Sequence, residues 1–294
     1  MINKWLSRLG FLFLYLVSLL PFWLLYRFSD FLFFILYYII GYRRKVVQEN
    51  LRNAFPDKTE AERKLIEKKY FSYLADLIVE VIKLFTISEK ELKKRMLAPN
   101  GEMLEEYFKQ GKSIIGAVGH YGNWEMAGLR LGMYTEKRRM VVYKPLTNEY
   151  FDNAFKNMRS RTGATLVDMK HTVRKMVEYR NELMISVLVS DQTPVRSDIS
   201  YFTEFLNQPT PVFVGIEKLA KMIDCVVVFC DIRRIKRGYY QCTLVPLFEH
   251  PKDTAEHEIT NTHVHYLEQV IKEEPQYWLW SHRRWKFKPG DIHE

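Results

Sequence analysis

Cysteine is scarce in this chain: three in 294 residues, at Cys225, Cys230 and Cys242. The number is odd, no two are spaced Cys-x-x-Cys, and all lie in or beside apolar runs that read as strands. Neither a disulfide framework nor a cysteine-held metal site is expected. Internal repeats and long linkers are also missing. Charged residues reach only 27%, against 47% hydrophobic and 15% aromatic. That balance excludes bulk disorder and supplies a core for one large domain or two small ones. The formal net charge of +9 suggests an anionic partner, whether nucleic acid, a membrane surface, or an acidic carrier or substrate.

Residues 9–26 contain no charge at all. As a helix, eighteen residues rising about 1.5 Å each span about 27 Å, close to a hydrocarbon core. Arg27 and Asp30 interrupt, and a second apolar run follows at 31–42. Trp5, Trp23, Tyr26, Tyr37, Tyr38 and Tyr42 flank the runs, as interfacial side chains do. No small-x-small cleavage site follows, so a signal peptide fits poorly. Residues 1–42 are expected to form an N-terminal membrane-anchoring helix, and 43–294 a catalytic domain. The larger basic cluster, Arg43, Arg44, Lys45 and Arg52, follows the anchor and places that domain in the cytoplasm. Two arrangements remain open: one span with the N-terminus outside, or a shallow hairpin with a kink at Pro21.

Beyond the anchor, helices are expected over 44–55, 58–85, 88–96 and 101–110, with Asp57 or Thr59 capping the second. Short apolar, β-branched runs then alternate with helical patterns. Strands are expected at 113–119, 139–143, 164–168, 183–190, 225–233 and 239–246. Helices are expected at 123–134, 148–161, 170–179, 212–222 and 255–273. This alternation predicts an α/β fold with a parallel or mixed sheet flanked by helices.

The first of these strands ends at His120, followed by Tyr121-Gly122-Asn123-Trp124-Glu125. Ligands of α/β sheets sit outside the carboxyl ends of strands. Glu125, five residues on, falls in the first turn of the next helix. Its carboxylate is expected to reach back to one imidazole nitrogen and leave the other free as a general base. No serine or cysteine stands beside the pair, so a substrate hydroxyl is the expected nucleophile. The remaining histidines read as solvated: His263 and His265 in an expected surface helix, and His171, His250, His257 and His293 among polar neighbours. No metal site is expected. The ending His282-Arg283-Arg284-Trp285-Lys286-Phe287-Lys288 mixes basic and aromatic residues. Nucleic-acid binding, membrane contact and a packed extension all produce such a segment; with an apolar anchor elsewhere, membrane contact is favoured.

The motifs, in order, resemble the late acyltransferases of lipid A biosynthesis, the lauroyl/myristoyl transferase group, over nearly the whole chain. They are Arg43-Arg44, Asn50-Leu51, Phe55-Pro56, His120 with Glu125, Tyr143-Lys144-Pro145-Leu146, Arg159-x-Arg161-x-Gly163, Ser190-Asp191-Gln192, and the ending from Tyr277 to Lys286. The residues between His120 and Glu125, and Thr193-Pro194 after the Asp-Gln pair, depart from the best-known members. The resemblance implies a glycerolphosphate-acyltransferase-like fold at the inner membrane. It implies a fatty acyl thioester on acyl carrier protein as donor, a lipid A precursor as acceptor, no cofactor, and no nucleic acid. Arg159 and Arg161 are implied to stabilise an oxyanion or bind phosphate, and Asp191 to support the site. Asn123 joins these as a substrate-binding candidate. The alternatives are acylation of another lipid, such as an aminolipid or lysophospholipid, and a lipid-binding protein without catalysis.

Overall fold

The computed structural model describes residues 2–292; His293 lies outside them. Two apolar helices open the chain, α1 (Ile2–Leu19) and α2 (Phe22–Phe34), the latter widening into a π-helical turn at Ile35–Ile39. The charge-free run at 9–26 is therefore not one helix. Pro21 divides it, because proline has no N–H to donate and its ring clashes with the preceding turn. Helices α3 (Arg44–Ala54), α4 (Glu60–Lys83), α5 (Glu89–Arg95) and α6 (Met103–Lys109) match the expected segments closely. Of the two candidates for the α4 cap, Thr59 is the one used. Its hydroxyl accepts from the Glu62 N–H at 3.3 Å, and the Glu62 carboxylate accepts from the Thr59 N–H at 2.7 Å.

The rest alternates. The strands are β1 (Met96–Leu97), β2 (Ile114–Val118), β3 (Arg138–Tyr143), β4 (Thr165–Asp168), β5 (Met184–Val189), β6 (Phe202–Phe205), β7 (Gln208–Pro211), β8 (Val226–Lys236) and β9 (Tyr239–Phe248). Between and after them come α7 (Trp124–Leu131), α8 (Glu149–Ser160), α9 (Thr172–Glu178), α10 (Gly215–Ile223) and α11 (Glu258–Glu273). Seven strands form one mixed sheet in the order β1-β9-β8-β2-β5-β3-β4. Every pairing in it is parallel except β8 with β9. All five residues of β2 are buried, as a central parallel strand covered on both faces requires. The expectation of an α/β mixed sheet flanked by helices holds. Two pieces were not foreseen: β1, too short to carry a pattern, and the β6–β7 hairpin, whose second strand reads Gln208-Pro209-Thr210-Pro211 and is masked by its prolines.

The C-terminal tail is not a surface segment. Trp278, Trp280 and Arg284 are almost wholly buried. The Asn50 amide, buried on α3, donates to the Trp280 carbonyl at 2.8 Å and to the His282 carbonyl at 2.9 Å. The Trp285 indole donates to the Thr210 hydroxyl at 2.7 Å. The expected membrane contact of this tail is corrected to a packed extension. Its aromatic rings fill the core, and of its basic side chains Arg283, Lys286 and Lys288 are exposed. By contrast, sixteen of the 26 exposed large apolar side chains among the described residues fall between Trp5 and Tyr42.

Asn50→Ala is expected to leave the buried Trp280 carbonyl unpaired, to take one of two donors from the His282 carbonyl, which keeps the Arg284 N–H at 3.0 Å, and to cost about 1–3 kcal/mol. Thermal unfolding should show the midpoint falling by several degrees; an unchanged midpoint would mean that the tail is held without this amide.

Candidate active site

The register of two neighbouring strands builds the site. Val118 of β2 lies opposite Val189 of β5. Two residues past each strand end therefore stand side by side, and these are His120 and Asp191. The His120 Nδ1 lies 2.6 Å from Asp191 Oδ1, and the His120 backbone N–H donates to Asp191 Oδ2 at 2.8 Å. The Trp278 indole donates to that same oxygen at 2.7 Å. Burial alone raises the Asp191 carboxyl. The His120 ring and these donors outweigh it and hold the group at about 2.

The other ring nitrogen, Nε2, faces the Gln192 amide nitrogen at 3.2 Å. With Nδ1–H donating to Asp191, Nε2 carries the lone pair and Gln192 donates to it. This tautomer is assigned from the hydrogen bonds. Neither partner is a hydroxyl or thiol. The side chain of His120 keeps 18% of its surface exposed while that of Asp191 keeps 3%, so the ring edge is open and its support is closed. Trp124 meets the ring edge-on, with centroids 4.9 Å apart.

The loop carrying His120 is clamped from two sides. Leu279 N–H donates to the His120 carbonyl at 3.1 Å, and Gly122 N–H to the Tyr277 carbonyl at 3.0 Å. The Tyr73 hydroxyl donates to the Gly122 carbonyl at 2.5 Å. Gly122 has φ +58°, and a Cβ there would sit 2.7 Å from a methyl of Ile232, so only glycine suits the turn.

Two expectations are corrected. Glu125 was expected to orient His120, but both of its carboxylate oxygens go to Arg159, one accepting from Nε at 2.9 Å and the other from Nη2. As the second residue of α7, Glu125 faces α8, whose last turn carries Arg159. The acid on the imidazole is Asp191. Asn123 was expected to contact substrate, but it is fully buried and both ends of its amide are used. Its oxygen caps α7 by accepting from Met126 N–H at 2.9 Å, and its nitrogen donates to Glu80 at 2.9 Å. The two arginines also part. Arg159 joins the Glu125 pair beside the site, whereas Arg161 is exposed and donates to the Phe85 carbonyl at 3.3 Å.

Behind Asp191 lies a small cavity bordered by Ser190, Phe205, His263, Leu267 and Arg284. Burial lowers the Arg284 guanidinium to about 10, with the Asp191 carboxylate opposing that shift. Its Nη2 donates to the Pro211 carbonyl at 2.7 Å. His263 was expected to be solvated; it is 3% exposed on the inner face of α11, while His265 is on the outer face. Sequence reasoning missed Trp278 and Gln192 as neighbours of the His120–Asp191 pair. Their only signal was membership of the Asp-Gln and C-terminal motifs.

Across residues 1–287 the sequence matches the family of bacterial lipid A biosynthesis acyltransferases. The chain belongs to this family. It is 25% identical over 296 residues to the lipid A biosynthesis lauroyltransferase of Escherichia coli, covering 98% of this chain and 94% of that protein. A lipid A biosynthesis acyltransferase of Haemophilus influenzae is 25% identical over 260 residues, covering 85% of this chain and 80% of that protein. The palmitoleoyltransferase of E. coli is 20% identical over 253 residues, covering 84% and 80%. The protein is thus an acyltransferase, and the resemblance read from its ordered motifs holds.

Burial pushes His263 down to about 4 and, with the nearby Arg284 charge, pushes His282 to about 4 as well. A histidine depressed on folding takes its proton more readily when unfolded. Stability is therefore complete above the unfolded value of 6.5 and falls as pH drops from there toward 4. In this acyltransferase, His263→Leu should shrink the loss of melting temperature between about pH 7 and pH 5. Equal losses in both proteins would exclude His263 as a source of acid sensitivity.

Proposed function

We propose that this acyltransferase moves a fatty acyl chain from an acyl carrier protein thioester to a hydroxyl of a lipid A precursor, with His120 as general base. The observation that carries this reading is the His120 ring: one nitrogen is held by a buried carboxylate, and the other is turned to an open edge with no enzyme nucleophile on it. The acceptor hydroxyl takes the place of the Gln192 amide at Nε2 and gives up its proton there. Its oxygen attacks the thioester carbonyl directly. The tetrahedral intermediate collapses, the carbon–sulfur bond breaks, and the proton on His120 passes to the leaving thiolate. Asp191 fixes the ring and stabilises the imidazolium that forms. Arg159, its plane held by Glu125, is the cation assigned to the oxyanion or to a phosphate of the lipid.

The partner chemistry follows the charge. A +9 chain suits an acidic carrier and an anionic lipid. The exposed apolar flank of α1 and α2 supports binding at a membrane, with the inner membrane's cytoplasmic face as the site of action. The names of the three relatives, all lipid A biosynthesis enzymes, favour a lipid A precursor over another hydroxylated lipid.

Mass spectrometry of lipid A from a deletion strain should show a secondary acyl chain missing, restored by the unaltered gene and not by His120→Ala. Intact lipid A in the deletion strain would sink the acceptor assignment. Restoration by a folded His120→Ala protein would sink the mechanism.

In vitro, kcat/KM should fall on acidification, because a protonated imidazole has no lone pair; a profile flat between about pH 5 and 8 would exclude the base. Asp191 stays ionised well below that range and does not contribute to the limb. Asp191→Asn should lower kcat by roughly 100-fold or more with a smaller change in KM. A variant within a few-fold of the unaltered enzyme would remove Asp191 from the mechanism.

A further inference from the structure

Length and composition allow α2 to cross a bilayer: Phe22–Ile39 is apolar and 18 residues long. The way it is docked does not. One flank of the helix is seated on α4 at nearly every turn. The Lys83 ammonium lies 5.7 Å from the Phe22 ring centroid, the Tyr26 hydroxyl donates to Glu80 at 3.0 Å, and the Ser29 hydroxyl donates to Asp76 at 2.6 Å. At the far end the Tyr37 ring lies 5.5 Å from that of Phe71. The contacts step forward along α2 and backward along α4, so the two helices run antiparallel along the whole candidate span.

The most polar part of this contact falls at its centre. Arg237 bridges Asp30 of α2 and Asp76 of α4 at 2.6 Å to each, and Arg234 pairs with Asp76 at 2.7 Å. Asp30 is near the midpoint of residues 22–39, and its side chain is 49% exposed, with that of Arg237 at 39%. A crossing helix would carry this cluster and exposed Arg27 toward mid-membrane, where charged side chains are strongly disfavoured.

Helix α1 is docked in the same way. Ser7 accepts from the Asn148 amide at 2.8 Å, and the Phe11 ring meets that of Phe85 at 5.4 Å. Its last carbonyls, Ser18 and Leu20, accept from Lys83 at 2.8 and 2.9 Å. Those carbonyls are orphaned by the break at Pro21, and it is the domain that satisfies them.

The opposite flank is apolar, with Phe13, Leu16, Trp23, Phe31, Phe34 and Ile39 all exposed. Within the first 48 residues Asp30 is the sole acid, and Arg237 neutralises it. Arg8, Arg27, Arg43 and Lys45 stand exposed along the same segment.

We propose that α1 and α2 form a monotopic anchor. Their outer flanks lie in one leaflet, their basic residues meet anionic headgroups, and neither helix crosses the bilayer. The N-terminus then stays on the same side as the catalytic domain. This rests on the reading that the acyltransferase works at a membrane, and the test separates the two.

The full chain is expressed with an epitope tag ahead of Met1 and a second tag after Glu294. Fractionation comes first. The protein should sediment with membranes, resist high salt and be released by detergent. Recovery in the soluble fraction would overturn the membrane reading and this proposal with it. Protease is then added to intact spheroplasts and to inverted vesicles. Both tags should be protected in the former and cleaved in the latter. Membrane-bound protein whose N-terminal tag alone is cleaved in spheroplasts crosses the bilayer, which overturns the proposal and leaves the membrane reading standing. With vesicles containing phosphatidylglycerol, a double variant Phe31→Asp and Phe34→Asp should bind at least tenfold more weakly with unchanged thermal unfolding. Retained binding would remove this flank as the lipid contact.

Discussion

A buried carboxylate governs the architecture around the site. Asp191 sits at the end of a central strand with 3% of its side chain exposed. Removing such a charge from water costs several kcal/mol unless donors surround it. Here the donors come from three places: the His120 backbone, the His120 ring, and the Trp278 indole. The third belongs to the far end of the chain. The C-terminal tail must therefore return to the sheet for the carboxylate to be satisfied, and its path explains why it is packed. Tyr277 and Leu279 clamp the His120 loop, Trp280 fills the core, and Arg284 places a buried cation near Asp191. Stability and site geometry are here the same set of contacts.

A second buried acid links the anchor to the site. Glu80 on α4 is fully buried, and burial raises its carboxyl despite the donors around it. It accepts from Tyr26 of α2 at 3.0 Å, from Asn123 at 2.9 Å and from Tyr240 at 2.8 Å. Asn123 caps the helix that carries Trp124 and Glu125. Four residues earlier on α4, Asp76 gathers Ser29, Arg234 and Arg237. One helix thus holds both α2 and the cap of α7 through two buried acids.

Periodicity made most of the fold legible. The five buried residues of β2 and the three-to-four spacing on α4 are strong signals, because each reflects a face that must be covered. The hairpin at 202–211 was hidden because its strand character comes from tertiary pairing and its second strand carries two prolines. His263 was misread because its helix was taken as a surface helix throughout, whereas one face of α11 is buried and carries it. His120 was found from its place at a strand end. Its partner was not, since pairing depends on the register between β2 and β5, which lie about seventy residues apart in the chain, and no local spacing encodes a register.

The exchange of carboxylates changes the chemistry. A Glu125 on the imidazole would leave Arg159 without its carboxylate partner. With Asp191 committed to His120, Glu125 is released to hold Arg159 by two parallel hydrogen bonds, the geometry that fixes a guanidinium plane. A fixed plane acts on charge that develops in a defined place; a mobile one solvates whatever is near. The acid inside the histidine motif therefore orients the Arg159 guanidinium, and the acid about seventy residues away orients the His120 ring. Two carboxylates that would compete for one ring instead fix an imidazole and a guanidinium independently on neighbouring elements.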